Sequence, residues 1–128
     1  MLFTADAFLG LQNALEELRG REWKLLYLGG CRWHHDFPPL PGFRRLAQAG
    51  AVTCAHAVAY HRSVFDSILS EVPGDQAGME GWLKVRHGID QYYAFGFTEG
   101  KYLLSPVIAT QGSIVPMESP EVQRLLLD

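Results

Sequence analysis

Apolar positions at Phe8, Leu11, Leu15 and Leu18 are spaced by three, four and three residues, which predicts a helix over 4–19. Thr4 or Asp6 can cap its start, and Gly20 supplies a residue that tolerates the left-handed stop. The pattern then changes. Lys24 to Leu28 is a nearly continuous apolar run ending in Gly29-Gly30, the signature of a strand covered on both faces. Cys31 to Gly42 holds three prolines and no periodicity, so it is a long aromatic loop after a central strand, where α/β proteins place binding groups.

Phe43 to Ala47 is predicted as a strand, with a turn at Gly50, and Val52 to Tyr60 as one buried strand. Ser63 and Asp66 match a capping box, and Phe65, Ile68, Leu69 and Val72 behind it predict a second helix ending near Pro73. A loop is expected over 73–81, a helical turn at Trp82 to Arg86, and a short aromatic helix at Ile89 to Phe95. Lys101 to Thr110 is a strand interrupted at Pro106, and Ser119 to Leu127 has a Ser-Pro helix start. The alternation is that of an α/β fold, a mixed sheet with flanking helices. It opens with a helix that would ordinarily follow a strand, so the expectation is part of something larger.

At 128 residues the chain fits a single domain, 1–128, able to bury roughly two-thirds of its unfolded surface. Hydrophobic residues at 48% and charged residues at 20% exclude a disordered chain. A net charge of −3 with scattered basic residues, Arg44-Arg45 being the densest pair, excludes a phosphate-tracking nucleic-acid surface. No apolar run approaches the roughly 18 residues of a membrane span. Cys31 and Cys54 lack CxxC spacing and stand in apolar surroundings, so buried free thiols in a reducing compartment are expected, with a cytoplasmic location.

Several phrases together resemble glycosyltransferase family 25, which includes lipooligosaccharide galactosyltransferases. The helix FTADAFLGLQNALEEL is followed by WKLLYLGG, Trp23 to Gly30, similar to the family's W-D-L-L-Y-L-G strand. CAHAVAYHRSVFDSIL places His56-Ala57 where the family has a His-Ala-Tyr phrase. Ile89-Asp90-Gln91 matches an aspartate opening a helix, and YLLSPVIATQGS, with Gln111 and Ser113, matches a closing strand. The resemblance spans about residues 2 to 113 and implies the acceptor-side half of a GT-A-like nucleotide-diphospho-sugar transferase domain. It implies a nucleotide-sugar donor, a saccharide acceptor and a divalent metal, manganese or magnesium. The family's Glu-Asp-Asp motif would fall before Leu2 and is not present, so the cation has no evident carboxylate ligands in this chain.

The resemblance makes Asp90 the candidate catalytic residue, since sugar transfer with inversion needs a carboxylate to accept the acceptor's proton. A helix-capping role is the alternative. His56 is a substrate contact or a hydrogen-bonded core histidine, and Gln111 binds a substrate hydroxyl or ties down its loop. In the long loop Trp33, His34 and Asp36 are candidate acceptor contacts. Extended backbone turns adjacent side chains apart, so His34 and Asp36, not His34 and His35, could share a metal. Trp33, Phe37, Tyr92 and Tyr93 can stack on sugar rings or fill the core. Three functions remain open: a glycosyltransferase-like protein of surface-polysaccharide assembly; a non-catalytic carbohydrate- or protein-binding module that self-associates through exposed sheet; and a metal hydrolase built on His34 and Asp36.

Overall fold

The structure, a computed structural model, describes residues 2–32 and 40–111. Its elements in order are β1 (Leu2–Phe3), α1 (Ala7–Leu18), β2 (Leu25–Tyr27), β3 (Cys31–Arg32), β4 (Leu46–Gln48), β5 (Val52–Thr53) and β6 (Val58–Tyr60). After a single 3-10 turn at Arg62–Val64 come α2 (Phe65–Glu71), α3 (Gln76–Arg86), α4 (Ile89–Gly96), β7 (Lys101–Leu104) and β8 (Ala109–Thr110).

The expected mixed α/β architecture is present. Four strands form the main sheet in the order β4-β7-β2-β6. β2 runs parallel to β7, with Leu26 opposite Tyr102, and antiparallel to β6, with Leu26 opposite Ala59. β4 closes the other edge antiparallel to β7. Two short ribbons, β1–β8 and β3–β5, are both antiparallel. Strand alternation gives the sheet two apolar faces. Leu26, Leu46 and Leu104 pack under Ala14 and Leu18 of α1, while Leu25, Tyr27 and Leu103 pack under Tyr92, Tyr93 and Phe97 of the α4 side. The fully buried β2 is thus the centre of a helix–sheet–helix sandwich, as its unbroken apolar run requires.

Several local expectations need correction. Helix α1 is rotated from the predicted stripe: Gly10, Ala14 and Leu18 are buried, whereas Phe8 and Leu15 are exposed. Small residues let the helix approach the sheet closely; a Cβ on Gly10 would come within 3.1 Å of Ile108. Asp6 occupies the N-cap without a side-chain cap bond. The predicted strand 52–60 is two strands, broken at 54–57 where Cys54 takes a left-handed φ of 60°. The capping box at Ser63 and Asp66 is replaced by His61, whose ring accepts from the Ser63 amide. The predicted loop over 73–81 is largely α3, started by Asp75, whose carboxylate accepts from the Gly78 amide at 2.7 Å. Tyr92 and Tyr93 are core residues, buried among Trp82, Phe97 and Tyr60, so neither presents a free ring to a sugar.

The cysteine expectation is also overturned: Cys54 is disulfide-bonded. The chain's one other cysteine is Cys31, on the strand that pairs with β5. Among the described residues no helix is long and apolar enough to cross a membrane.

Candidate functional site

In α/β sheets ligands gather beyond the carboxyl ends of parallel strands. Here the parallel pair is β2 and β7, and its carboxyl end is built around Gly29-Gly30. A Cβ on Gly29 would run into the Ala109 carbonyl and lie 2.9 Å from His56 Nε2; one on Gly30 would lie 2.5 Å from Val52. Only glycine lets the chain leave β2 through this gap. Leu28 receives the crossing strands: its carbonyl accepts from the Ile108 and Ala109 amides, and its amide donates to Ala57.

His56 lies in the break between β5 and β6, not mid-strand as predicted. Its amide donates to the Cys54 carbonyl at 2.7 Å, a three-residue turn, and its Nε2 is 3.5 Å from the Ala109 carbonyl. Nδ1 is buried and has no hydrogen-bond partner among the described residues.

Asp90, in the first turn of α4, fixes that same turn from the other side. Its Oδ2 accepts from the Cys54 amide at 3.1 Å and its Oδ1 from the Gln91 amide at 2.9 Å. The two bonds join α4 to the β5–β6 turn. They leave each carboxylate oxygen a second lone pair. Asp90 is therefore a structural tie with spare acceptor capacity, and its side chain, Cys54 and His56 form one connected unit.

Beneath this unit lies a group that sequence reasoning missed. Tyr27, the last residue of β2, is 0% exposed, and its hydroxyl has no partner among the described residues. Burial, reinforced by Tyr60 and then the Asp90 charge, pushes its ionisation far above the ordinary tyrosine range. The signal in sequence was slight: a tyrosine in an otherwise aliphatic strand is ordinary core until its hydroxyl is shown to be unpaired. Two orphaned polar atoms near one carboxylate form an unusual concentration, because buried polar groups are nearly always satisfied.

Gln111 follows β8 and is exposed, two residues beyond the carbonyl that faces His56. Trp33, His34, His35, Asp36 and Phe37, with Ser113 and the predicted 119–127 helix, lie outside the described residues. Among the described residues no three His, Cys, Asp or Glu side chains converge on a point that could hold a metal ion. The described residues therefore do not fit a divalent metal.

No protein-family model, curated protein or solved structure matches this chain.

Proposed function

We propose that this chain forms the acceptor-side part of a glycosyltransferase-like protein, moving a sugar from a nucleotide-sugar donor to a saccharide acceptor in surface-polysaccharide or lipopolysaccharide assembly. The observation that supports it most is the pair of buried polar atoms without a partner among the described residues, Tyr27 Oη and His56 Nδ1, near Asp90 at the carboxyl end of β2. A saccharide offers hydroxyls that both donate and accept, which suits a carboxylate with free lone pairs and an imidazole with a free nitrogen. In this role Asp90 orients the acceptor hydroxyl or takes its proton, His56 and Gln111 shape the pocket, and the loop at Trp33, His34 and Asp36 touches the acceptor. The divalent cation the resemblance implies would take its ligands from elsewhere.

Hydrolysis or transfer of sugar from a nucleotide-sugar panel, with and without manganese or magnesium, tests the proposal. Metal-dependent turnover lost in Asp90→Asn supports it; no turnover with any donor and acceptor, in the longest natural form of the protein, removes it. A cytoplasmic location belongs to the same proposal, and the disulfide at Cys54 weighs against it, because such bridges persist mainly in oxidising compartments. Counting thiols in protein quenched directly from cells decides between them.

A second reading, a non-catalytic binding module, has its own observation. Leu2, Phe3, Phe8 and Leu9 are all more than half exposed, and Phe3, Phe8, Leu11 and Ile108 line an apolar groove of about 260 Å³. Apolar surface gathered in this way is a mark of an interface. Light scattering at micromolar concentration separates the two readings: a stable dimer that dissociates in Phe8→Glu favours the module.

A further inference from the structure

At the opposite end of the sheet, where β2 and β7 begin, lies a cavity of about 460 Å³ that the transfer proposal does not use. One wall is the half-buried indole of Trp23, against which the His61 imidazole stands edge-on at 5.1 Å. His61 Nδ1 accepts from the Ser63 amide at 3.3 Å and lies 2.8 Å from Ser63 Oγ. An accepting Nδ1 places the proton of the neutral ring on Nε2, which makes that nitrogen a donor. Lys24 and Glu99 supply a further donor and acceptor, and Gly100 completes the floor.

The charges decide what this cavity takes. Arg21 and Lys24 are balanced by Glu22 and Glu99 around it. Both cations are already engaged: Lys24 Nζ is 3.4 Å from Glu99, and the Arg21 guanidinium lies 4.4 Å from the centre of the Phe43 ring. A phosphate or carboxylate ligand would meet as much acid as base in this lining, and a cationic ligand as much base as acid. What remains is an aromatic surface ringed by donors and acceptors in balance, in a volume that fits one or two pyranose rings. Aromatic faces suit the apolar C–H patches of such rings. We infer that the Trp23–His61 cavity is a binding site for a neutral saccharide, separate from the Asp90 end of the sheet. It does not rest on the transfer proposal.

Titration of the ¹⁵N-labelled full chain with methyl β-galactopyranoside, methyl α-glucopyranoside and lactose, followed by amide and indole shifts, tests the inference. Expected is saturable movement of the Trp23 indole and of the Lys24, Ser63 and Gly100 amides in the millimolar range. The affinity should fall about tenfold in Trp23→Leu, the loss of one good stacking contact. Because Trp23 also packs against the core, Glu99→Ala, at an exposed position, is the second variant and should weaken binding about threefold by removing an acceptor hydrogen bond. Absence of saturable shifts at these groups overturns the inference. So does binding unchanged in both variants, or inorganic phosphate competing at equal concentration. If only the Cys54 and Gln91 amides move, this inference falls while the transfer proposal stands.

Discussion

Replacing Tyr27 by phenylalanine removes one oxygen from a fully buried position in the sheet. A hydroxyl with no partner in an apolar setting costs about 1–3 kcal/mol relative to water. The ring stays and its packing against Tyr92, Tyr93 and Leu103 is kept, so Tyr27→Phe should stabilise the protein by about 1 kcal/mol, the low end because Phe leaves a small void. With unfolding entropy of about 2.1 cal/mol/K per residue, 128 residues give about 0.27 kcal/mol/K, hence a melting temperature about 4 °C higher. Calorimetry and urea unfolding measure this; the urea midpoint should rise with an unchanged slope. A destabilised Tyr27→Phe would refute the reasoning, since it would mean that the hydroxyl already has a partner.

Lys101→Met should destabilise by about 1–3 kcal/mol in chemical denaturation, because the Lys101 ammonium is buried and donates to the carbonyls of Gly50, Tyr93 and Ala94, and the variant removes that donor while the Gly50 carbonyl keeps only the Val52 amide. Gly29→Ala should cost about 3 kcal/mol, or fail to fold, since its methyl would meet the Ala109 backbone; Gly42→Ala, with open space around it but a left-handed φ of 84°, should cost about 1 kcal/mol in the same melts. Burial raises the ionisation of Tyr27, Tyr93 and Tyr92, so the folded state holds these protons longer than the unfolded chain does. The stability they contribute is intact below about pH 10 and lost as pH rises beyond it. Burial lowers Lys101, which acts in the opposite sense just below the ordinary lysine range, but one lysine faces three tyrosines. Tyrosinate absorbance from these three of the chain's five tyrosines should therefore appear together with loss of circular dichroism, and ionisation well before unfolding would contradict the burial.

Sequence pattern recovered what depends on period and on residues with one strong preference. The buried centre of the sheet was legible because LLY lies in an unbroken apolar run, and the α4 and β7 segments because Ile89 and Lys101 begin clean periodic stretches. The interruption at Pro106 separates β7 from β8 as expected. What failed depended on tertiary partners. The stripe on α1 was misassigned because large residues were taken to mark the buried face, whereas close packing on the sheet selected Gly10 and Ala14. Helix α3 was hidden by Gly78 and Gly81, and the cap that starts it, Asp75, lacks a partner acid three residues on.

The candidate site was legible in its residues and illegible in its wiring. His56 and Asp90 were singled out separately, yet nothing in their spacing says that Asp90 holds the Cys54 amide and thereby the turn carrying His56. Left-handed backbone at Cys54 is not a property any cysteine announces. The Gly29-Gly30 pair was read as the end of a strand; its tight approach to Ala109 and Val52 shows that it is also what lets β8 and β5 close over that end.

The most direct test of the Asp90–His56 unit as a ligand site is the imidazole nitrogen spectrum of His56 during titration with an acceptor saccharide, read beside the Cys54 and Gln91 amides. Expected is a saturable shift of His56 Nδ1, which has no partner among the described residues, together with those two amides, all on one binding curve. A saccharide that binds while all three signals stay in place would contradict it.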